Sequence, residues 1–204
     1  MRHARLAFGG ALASVLVSAA AIAQPSESDD YTRYELLAPG TARFRIVYEV
    51  TATTPGAAYY FNPIRKGSEA SDEAVYDRMT GKPLRFEVVS GAEARSAGQA
   101  SADLDTRYIK VQLPRPVPTG GEVRLRIDKT YRDPKSYFAE GDRLVFVRSL
   151  GVRRNSVVLP PGHELVACNV PAQVLQEADG RIKVSFMNPG PDAAGVVLKA
   201  RRLP

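Results

Sequence analysis

The chain contains few residues that could act as nucleophile and base. Its two histidines are His3 and His163, and its single cysteine is Cys168. A Cys–His pair can perform nucleophilic catalysis, but two residues five positions apart on one strand point to opposite faces. His163 and Cys168 would meet only if the chain bends between them, which the turn Pro160-Pro161-Gly162-His163 would allow.

The motifs of other enzyme classes are missing from the sequence. A catalytic zinc commonly uses two or three histidines, and no G-x-S-x-G elbow, regular calcium loop or phosphate-binding glycine loop is present. A catalytic pair of carboxylates remains an alternative, because a glycoside hydrolase needs only two carboxylates and a sequence does not show the distance between them. We therefore expect no catalytic residue, metal or cofactor, with an envelope glycan hydrolase or lyase that uses carboxylates or His163 as the alternative.

Arginines mark the first candidate binding surface. Two predicted strands carry outward arginines, and a third group flanks Ser149-Leu150-Gly151. If the two strands are neighbours, their arginines form a basic stripe for an acidic glycan, a phosphate head group or an acidic partner. The alternative is an ordinary solvated sheet face. The candidate residues are Arg43, Arg45, Arg124, Arg126, Arg148, Arg153 and Arg154.

A cluster of aromatic residues, Tyr59-Tyr60-Phe61-Asn62-Pro63, is the second candidate surface. Adjacent residues of a strand point to opposite faces, so Tyr59 or Tyr60 can reach solvent. An exposed tyrosine could stack on a sugar or anchor a partner. The alternative is that both tyrosines belong to the core.

The N-terminus is typical of a signal peptide, residues 1–23. A short basic start precedes the apolar run Leu6 to Ile22, and Ala21-Ile22-Ala23 is a small-x-small cleavage pattern. The run is shorter than the roughly 20 apolar residues of a membrane span. The residue directly after the cleavage site is Gln24 and not a cysteine, which argues against a lipoprotein. We expect a periplasmic or secreted protein that does not span the membrane.

The charge distribution argues against one class of partner, and the cysteine content argues against an internal disulfide. The full chain carries a net charge of +6, which falls to about +4 without Arg2 and Arg5. Acids and bases are interspersed, Trp is absent and no block of Lys and Arg stands out, so we expect no nucleic-acid binding. A lone Cys168 permits no internal disulfide, and its strand-like surroundings favour a buried thiol.

Alternation with a period of two residues predicts many short strands. In Arg43–Val50 the apolar residues occupy every second position, and the same pattern recurs at 109–113, 123–127 and 182–186. Continuous apolar runs at 144–147, 157–159 and 196–198 are typical of strands buried on both faces.

Turn residues predict how these strands connect. Asp179-Gly180 predicts a two-residue hairpin between Gln173–Ala178 and Arg181–Met187. Thr119-Gly120-Gly121 predicts that Tyr108–Leu113 folds back onto Glu122–Tyr131. Thr80-Gly81-Lys82-Pro83 predicts the same between Glu73–Arg78 and Leu84–Val89. Ser68–Asp77 could instead form a short helix. Ser90–Asp105, rich in Ala, Ser, Gly and Asp, is expected to be a loose surface segment.

These patterns together predict an all-β protein, an antiparallel β-sandwich of immunoglobulin-like or aminopeptidase N-domain-like type with few or no helices. We expect a signal peptide at 1–23, an N-terminal lead-in at 24–40 and a β-sandwich domain at 41–204, with a possible sub-boundary near 139–143.

Two stretches, Ile109–Tyr131 and Val157–Pro171, resemble the N-terminal β-domain of membrane alanyl aminopeptidase-type zinc peptidases. In both, strands alternate with glycine or proline turns, and the resemblance extends in outline over residues 31–200. It implies the fold of a capping or binding domain. It transfers no catalytic residue, because G-x-M-E-N and H-E-x-x-H do not occur and His163-Glu164 lacks the second histidine.

We therefore expect an exported, non-catalytic binding module of the cell envelope, with an unknown and possibly acidic protein or envelope component as its partner. A second alternative, beside the glycan hydrolase or lyase, is an accessory domain for a separately encoded enzyme.

Overall fold

The structure is a computed structural model that describes residues 30–204. It contains fourteen strands and one six-residue helix. The elements are β1 (Tyr31–Leu36), β2 (Arg43–Ala52), β3 (Tyr59–Pro63), β4 (Glu69–Asp77), β5 (Phe86–Ser90), α1 (Gly91–Ser96), β6 (Arg107–Gln112), β7 (Val123–Arg132), β8 (Tyr137–Glu140), β9 (Arg143–Leu150), β10 (Arg154–Val158), β11 (His163–Cys168), β12 (Gln173–Gln176), β13 (Ile182–Met187) and β14 (Ala194–Arg202).

Seven strands form the largest sheet, in the order β12-β13-β10-β1-β2-β7-β4. Neighbouring strands are antiparallel with one exception: β1 and β10 pair in parallel, with Tyr31 opposite Arg154. A parallel pair needs a long connection, and here more than a hundred residues separate the two strands. The turn residues predicted an antiparallel sandwich, because turns report only connections between consecutive strands.

A four-stranded sheet, β11-β14-β9-β8, and a three-stranded sheet, β3-β6-β5, complete the fold. One large buried cluster contains inward side chains from all three sheets. At its centre Phe44 of β2 meets Phe146 of β9 edge to face, with ring centroids 5.6 Å apart. The prediction of an all-β sandwich is confirmed.

The local predictions for single strands agree with the structure where the pattern is periodic. The hairpin at Asp179-Gly180 is confirmed, because β12 pairs antiparallel with β13. Its loop is three residues long rather than the predicted two, since the Glu177 N–H donates to the Arg181 carbonyl across it. Gly180 has a φ of 81°. Such a positive φ favours glycine, since a side chain at this position would be strained.

Two predicted strand pairings are wrong. Gly120 turns the chain with a φ of 68°, but β6 lies in the three-stranded sheet and β7 in the seven-stranded sheet. Between them Val117 exchanges backbone hydrogen bonds with Gly56 and Ala57, which carries the chain from one sheet to the other. After the turn at 80–83 only the short stretch up to Leu84 pairs with β4, through a bond from the Leu84 N–H to the Val75 carbonyl. Strand β5 then pairs with β6 instead of β4.

Two further segments differ from expectation. Residues 69–77 form strand β4 on the edge of the largest sheet, with a bulge between Ser71 and Ala74, and a helix there is wrong. The segment 90–105 is ordered by α1, which begins with a reciprocal capping box between Ser90 and Glu93. Ala94 and Ala102 are buried with Val89 and Tyr108 in a second small core.

The proposed signal peptide, residues 1–23, lies outside the described residues. The predicted lead-in, 24–40, contains β1, which pairs between β2 and β10. Residues 139–143 comprise the turn Gly141-Asp142 and the strand residues of β8 and β9 on either side of it. Within residues 30–204, no helix has the length and apolar character needed to cross a membrane.

Candidate functional site

The two arginine-bearing strands, β2 and β7, are direct neighbours in the largest sheet. Their outward positions hold five arginines and two carboxylates, which we call the arginine face: Arg43, Arg45, Glu49, Arg124, Arg126, Asp128 and Arg132. Because the strands run antiparallel, the arginines that begin β2 lie toward one end of this face and Arg124 and Arg126, which begin β7, lie toward the other. Arg43 faces Arg132 at one end, and Arg126 faces Glu49 toward the other.

Asp128 joins the two halves of the arginine face. Its carboxylate accepts hydrogen bonds from Arg45 at 2.6 Å and from Arg126 at 2.7 Å and 2.6 Å. Burial alone would raise the pKa of Asp128, but these guanidinium bonds lower it below its ordinary value. The carboxylate holds both arginines in fixed positions while their side chains stay about 40% exposed.

The ion network continues onto β1 and the β12–β13 hairpin. Arg33 donates to Glu177 through both terminal nitrogens and to Glu35 through Nε at 2.6 Å. Arg181 of the hairpin bonds to Asp179 at 2.7 Å. A bond from Arg33 lowers the pKa of Glu177. This side of the sheet is therefore rich in charge of both signs.

The ends of the arginine face carry looser contacts. Arg43 lies 3.3 Å from Asp72, and Arg132 lies 3.2 Å from Glu69, all four at exposed positions. At the opposite end, a depression of about 230 Å³ is lined by Arg78, Arg124 and Arg154 around Glu49. The prediction that Arg43, Arg45, Arg124 and Arg126 belong to one surface thus has a geometric basis.

Arg148 lies elsewhere, and the expectation that it joins Arg153 and Arg154 at the surface is wrong. It occupies an inward position of β9 and is only 6% exposed. Its guanidinium lies over the rings of Tyr34, Phe44 and Tyr131, at 5.3–5.6 Å from their centroids. It donates to Asp133 at 3.3 Å. Arg148 is buried because it shares the inward face of β9 with the apolar residues Leu144, Phe146 and Leu150.

A cavity of about 230 Å³ opens where the three sheets meet, and we call it the inner cavity. It lies on the side of the largest sheet opposite to the arginine face, because its strand residues take inward positions. Its lining includes four tyrosines and three cationic residues. The lining residues are Thr32, Tyr34, Ile46, Tyr48, Tyr60, Asn62, Pro63, Arg65, Lys129, Tyr131, Arg148 and Val152.

Lys129 is the most unusual residue of the inner cavity. It is 5% exposed, and its Nζ donates to Asn62 Oδ1 at 2.5 Å and lies 4.9 Å from the Tyr131 ring centroid. Burial, reinforced by repulsion from Arg148, lowers the pKa of Lys129 to about 7. Burial also raises the pKa of Tyr60 to about 12 and that of Tyr48 still further.

Sequence reasoning missed Lys129, although the signal was present. The inward series of β7 is Val123, Leu125, Ile127, Lys129 and Tyr131, so a lysine stands in an apolar row. Arg148 interrupts the inward row of β9 in the same way. A charged residue that occupies an inward position of a strand is buried, and it needs a polar partner inside the protein because an unpaired buried charge is costly.

The two adjacent tyrosines divide between solvent and the inner cavity. Tyr59 is 41% exposed, and the Lys110 ammonium lies 4.5 Å from its ring centroid. Tyr60 points the other way and lines the inner cavity. The alternation expected for this strand is confirmed by β3.

His163 and Cys168 both lie on β11 and bond to backbone carbonyls two residues away. His163 Nδ1 lies 2.9 Å from the Pro161 oxygen, and Cys168 Sγ lies 3.2 Å from the Val170 oxygen. Cys168 is half-buried against the core. Among residues 30–204, no group of three or more His, Cys, Asp or Glu side chains could hold a metal ion.

Comparison with known proteins shows a likeness of fold. An M1 zinc metallopeptidase from Deinococcus radiodurans superposes with a TM-score of 0.54 at 12% identity, over 84% of this chain and 41% of that chain. A mutant from the same organism, bound to a Tyr-Ser-Ala substrate, gives 0.53 at 13% identity with the same coverage. A two-domain M1 zinc metallopeptidase mutant bound to L-tryptophan gives 0.52 at 14%, again over 84% and 41%.

The likeness is confined to structure. No protein-family profile and no curated protein matches the sequence. The chain spans about 41% of the length of these zinc metallopeptidases, which is consistent with one domain of such a protein. The resemblance to the β-domain of this peptidase class is thus confirmed, and the chain has the all-β fold of that part of the M1 zinc metallopeptidases.

Proposed function

We propose that this protein is an exported, non-catalytic binding module of the cell envelope whose arginine face binds an acidic partner. The observation that carries the proposal is the excess of five arginines over two carboxylates on the outward positions of β2 and β7. A net excess of positive charge on a surface attracts acidic partners and accelerates association.

The local geometry supports such a role. Asp128 fixes Arg45 and Arg126, so these guanidiniums lose little further freedom when a ligand binds. Arg43 and Arg132 form only exposed ion pairs, which contribute little stability and can exchange for a ligand carboxylate or phosphate. The face therefore combines a rigid centre with adaptable ends.

A second candidate function is that of an accessory domain for a separately encoded enzyme. The fold likeness favours it, because the matched region covers 84% of this chain but 41% of each zinc metallopeptidase. In this case the acidic partner would be the enzyme itself. Copurification of a metallopeptidase with the tagged chain would support this candidate over a glycan ligand.

Binding can be tested with the double variant Arg43→Gln/Arg132→Gln. The probe is fluorescent poly-L-glutamate, and the measurement is anisotropy against NaCl concentration. We expect weaker binding and a shallower salt dependence than in the parent protein. The matched control, Arg143→Gln/Arg201→Gln, removes the same charge from exposed pairs on β9 and β14 and should bind like the parent.

Two results would count against the proposal. One is equal loss of poly-L-glutamate binding in both double variants, which would indicate a general charge effect. The other is a pull-down from envelope extract that recovers no partner, together with no binding to acidic envelope glycans. Export has its own test: mass spectrometry of the protein from the periplasm should find Gln24 as its first residue.

A further inference from the structure

We propose that the inner cavity is a binding site for a small monoanionic carboxylate, with the Lys129 ammonium as its principal contact. The cavity is formed by β1, β2 and β7 of the seven-stranded sheet, by β3 of the three-stranded sheet and by β9 of the four-stranded sheet. Ligand sites are concave and usually largely pre-formed. The inference does not depend on the arginine face, which lies on the other side of the sheet.

The charge balance of the inner cavity calls for an anion. Its lining holds Lys129, Arg148 and Arg65 and no carboxylate. Arg148 is balanced by Asp133, which it contacts at 3.3 Å. Lys129 forms no ion pair with a carboxylate of residues 30–204, and its bonding partner is the neutral side chain of Asn62. Glu73 attracts the ammonium without pairing with it, and a buried ammonium without a bonded counter-ion is costly.

The free donors of Lys129 define what the ligand must offer. An ammonium has three N–H donors, and Asn62 Oδ1 accepts one of them. The remaining donors suit the two oxygens of a carboxylate, whose charge-assisted bonds are the stronger kind. Asn62 fixes the ammonium at the junction of the sheets, which prepares it for the ligand.

Size and charge select the class of ligand. The volume of about 230 Å³ is below the roughly 300–1,000 Å³ of sites for drug-sized molecules. Arg65 is exposed and bonds to the Ser149 carbonyl, so Lys129 is the buried positive charge of this lining that has no carboxylate partner. Its single charge favours a carboxylate over a phosphate dianion. The rings of Tyr34, Tyr48 and Tyr60 offer apolar surface to a short substituent beside the carboxylate. A free acid and the C-terminus of a peptide share this chemistry.

The test uses the protein purified after expression from its complete reading frame. The probes are sodium acetate, trialanine with a free carboxylate, trialanine amide and sodium phosphate, each titrated at pH 6 and followed by NMR of the backbone amides. We expect acetate and free trialanine to shift the amides around Lys129 saturably, with a Kd of about 1 mM or tighter. Binding of acetate alone would assign a free acid, and tighter binding of trialanine would assign a peptide C-terminus.

Two variants separate the site from the fold. Lys129→Met should weaken carboxylate binding at least ~30-fold. Asn62→Asp is nearly isosteric and places a carboxylate next to the ammonium, so it should abolish binding while the protein stays folded by circular dichroism. The control Lys110→Met removes a lysine outside the cavity, paired with Glu87, and should leave binding unchanged.

The proposal fails if neither carboxylate binds saturably at pH 6, or if phosphate binds more tightly than both. It also fails if folded Asn62→Asp binds acetate like the parent. None of these results bears on poly-L-glutamate binding, so the two proposals can fail separately.

Discussion

Lys129 Nζ of β7 and Asn62 Oδ1 of β3 lie 2.5 Å apart and join the seven-stranded sheet to the three-stranded sheet. Both side chains are buried, and the bond closes one wall of the inner cavity. A hydrogen bond to a neutral amide supplies no negative charge, and Glu73 attracts the ammonium without forming an ion pair with it. The stability of the protein should therefore depend on the protonation of Lys129.

Lys129→Met should make the protein more stable below pH 7. The charged groups that act on the ammonium are Arg148, which repels it, and Glu73, which attracts it. Because burial lowers the pKa from 10.5 to about 7, the unfolded chain binds more protons between these pH values, and the stability of the parent rises across this window. The variant should lack this rise and gain about 1–2 kcal/mol at pH 6.

Urea denaturation of Lys129→Met at several pH values measures this effect, with Lys110→Met as control. Lys110 lies on the exposed side of β6, so its removal should leave the pH dependence intact. An identical slope between pH 7 and pH 10 in the parent and in Lys129→Met would contradict the assignment of the lowered pKa.

Arg148→Met should destabilise the protein by about 3 kcal/mol. The substitution removes the guanidinium from three aromatic rings and from the buried carboxylate of Asp133. Asp133 keeps its bonds from Ser136 and Ser68, so the fold should persist. The measurement is the midpoint of denaturant unfolding.

The control for Arg148 is Arg143→Met on the same strand. Arg143 forms an ion pair with an exposed neighbour, Asp142, and its loss should change stability by less than about 0.5 kcal/mol. Equal losses in both variants would show that the contacts of Arg148 with rings and carboxylate add no stability.

Asp128→Asn should lower stability at neutral pH by about 1–2 kcal/mol. The carboxylate bonds to Arg45 and Arg126, and its pKa lies below the ordinary 3.8 in the folded protein. Its contribution is thus present above pH ~4 and is lost as the pH falls through the folded pKa. The difference between parent and variant should shrink in acid. A constant difference down to the lowest pH would refute this linkage, and Asp142→Asn serves as the exposed control.

Gly91→Ala should destabilise the α1 segment strongly. An added Cβ would lie 2.1 Å from the backbone oxygen of Asp103, closer than any tolerated contact, so the chain at 102–104 must shift. Gly195→Ala on β14 has open space around the added atom and should be neutral or stabilising. Thermal unfolding of the two variants distinguishes these outcomes, and equal melting temperatures would contradict the close approach.

Much of the fold could be predicted from local patterns. Alternating residues mark strands such as Arg43–Ala52 because a half-buried strand exposes every second side chain. Asp179-Gly180 marks a hairpin because few residues tolerate its positive φ. In β7 the same alternation places Lys129, a charged residue, in a row of inward apolar residues, which indicates a buried charge.

Only the tertiary structure decided which strands share a sheet and where inward charges meet. The parallel pairing of Tyr31 with Arg154 joins positions far apart in the chain, and no local pattern encodes such a partner. Neither Lys129 nor Arg148 shows by itself that both line one cavity. The physical reason is that periodicity fixes the face on which a side chain lies, whereas sheet assembly depends on the packing of all buried faces together.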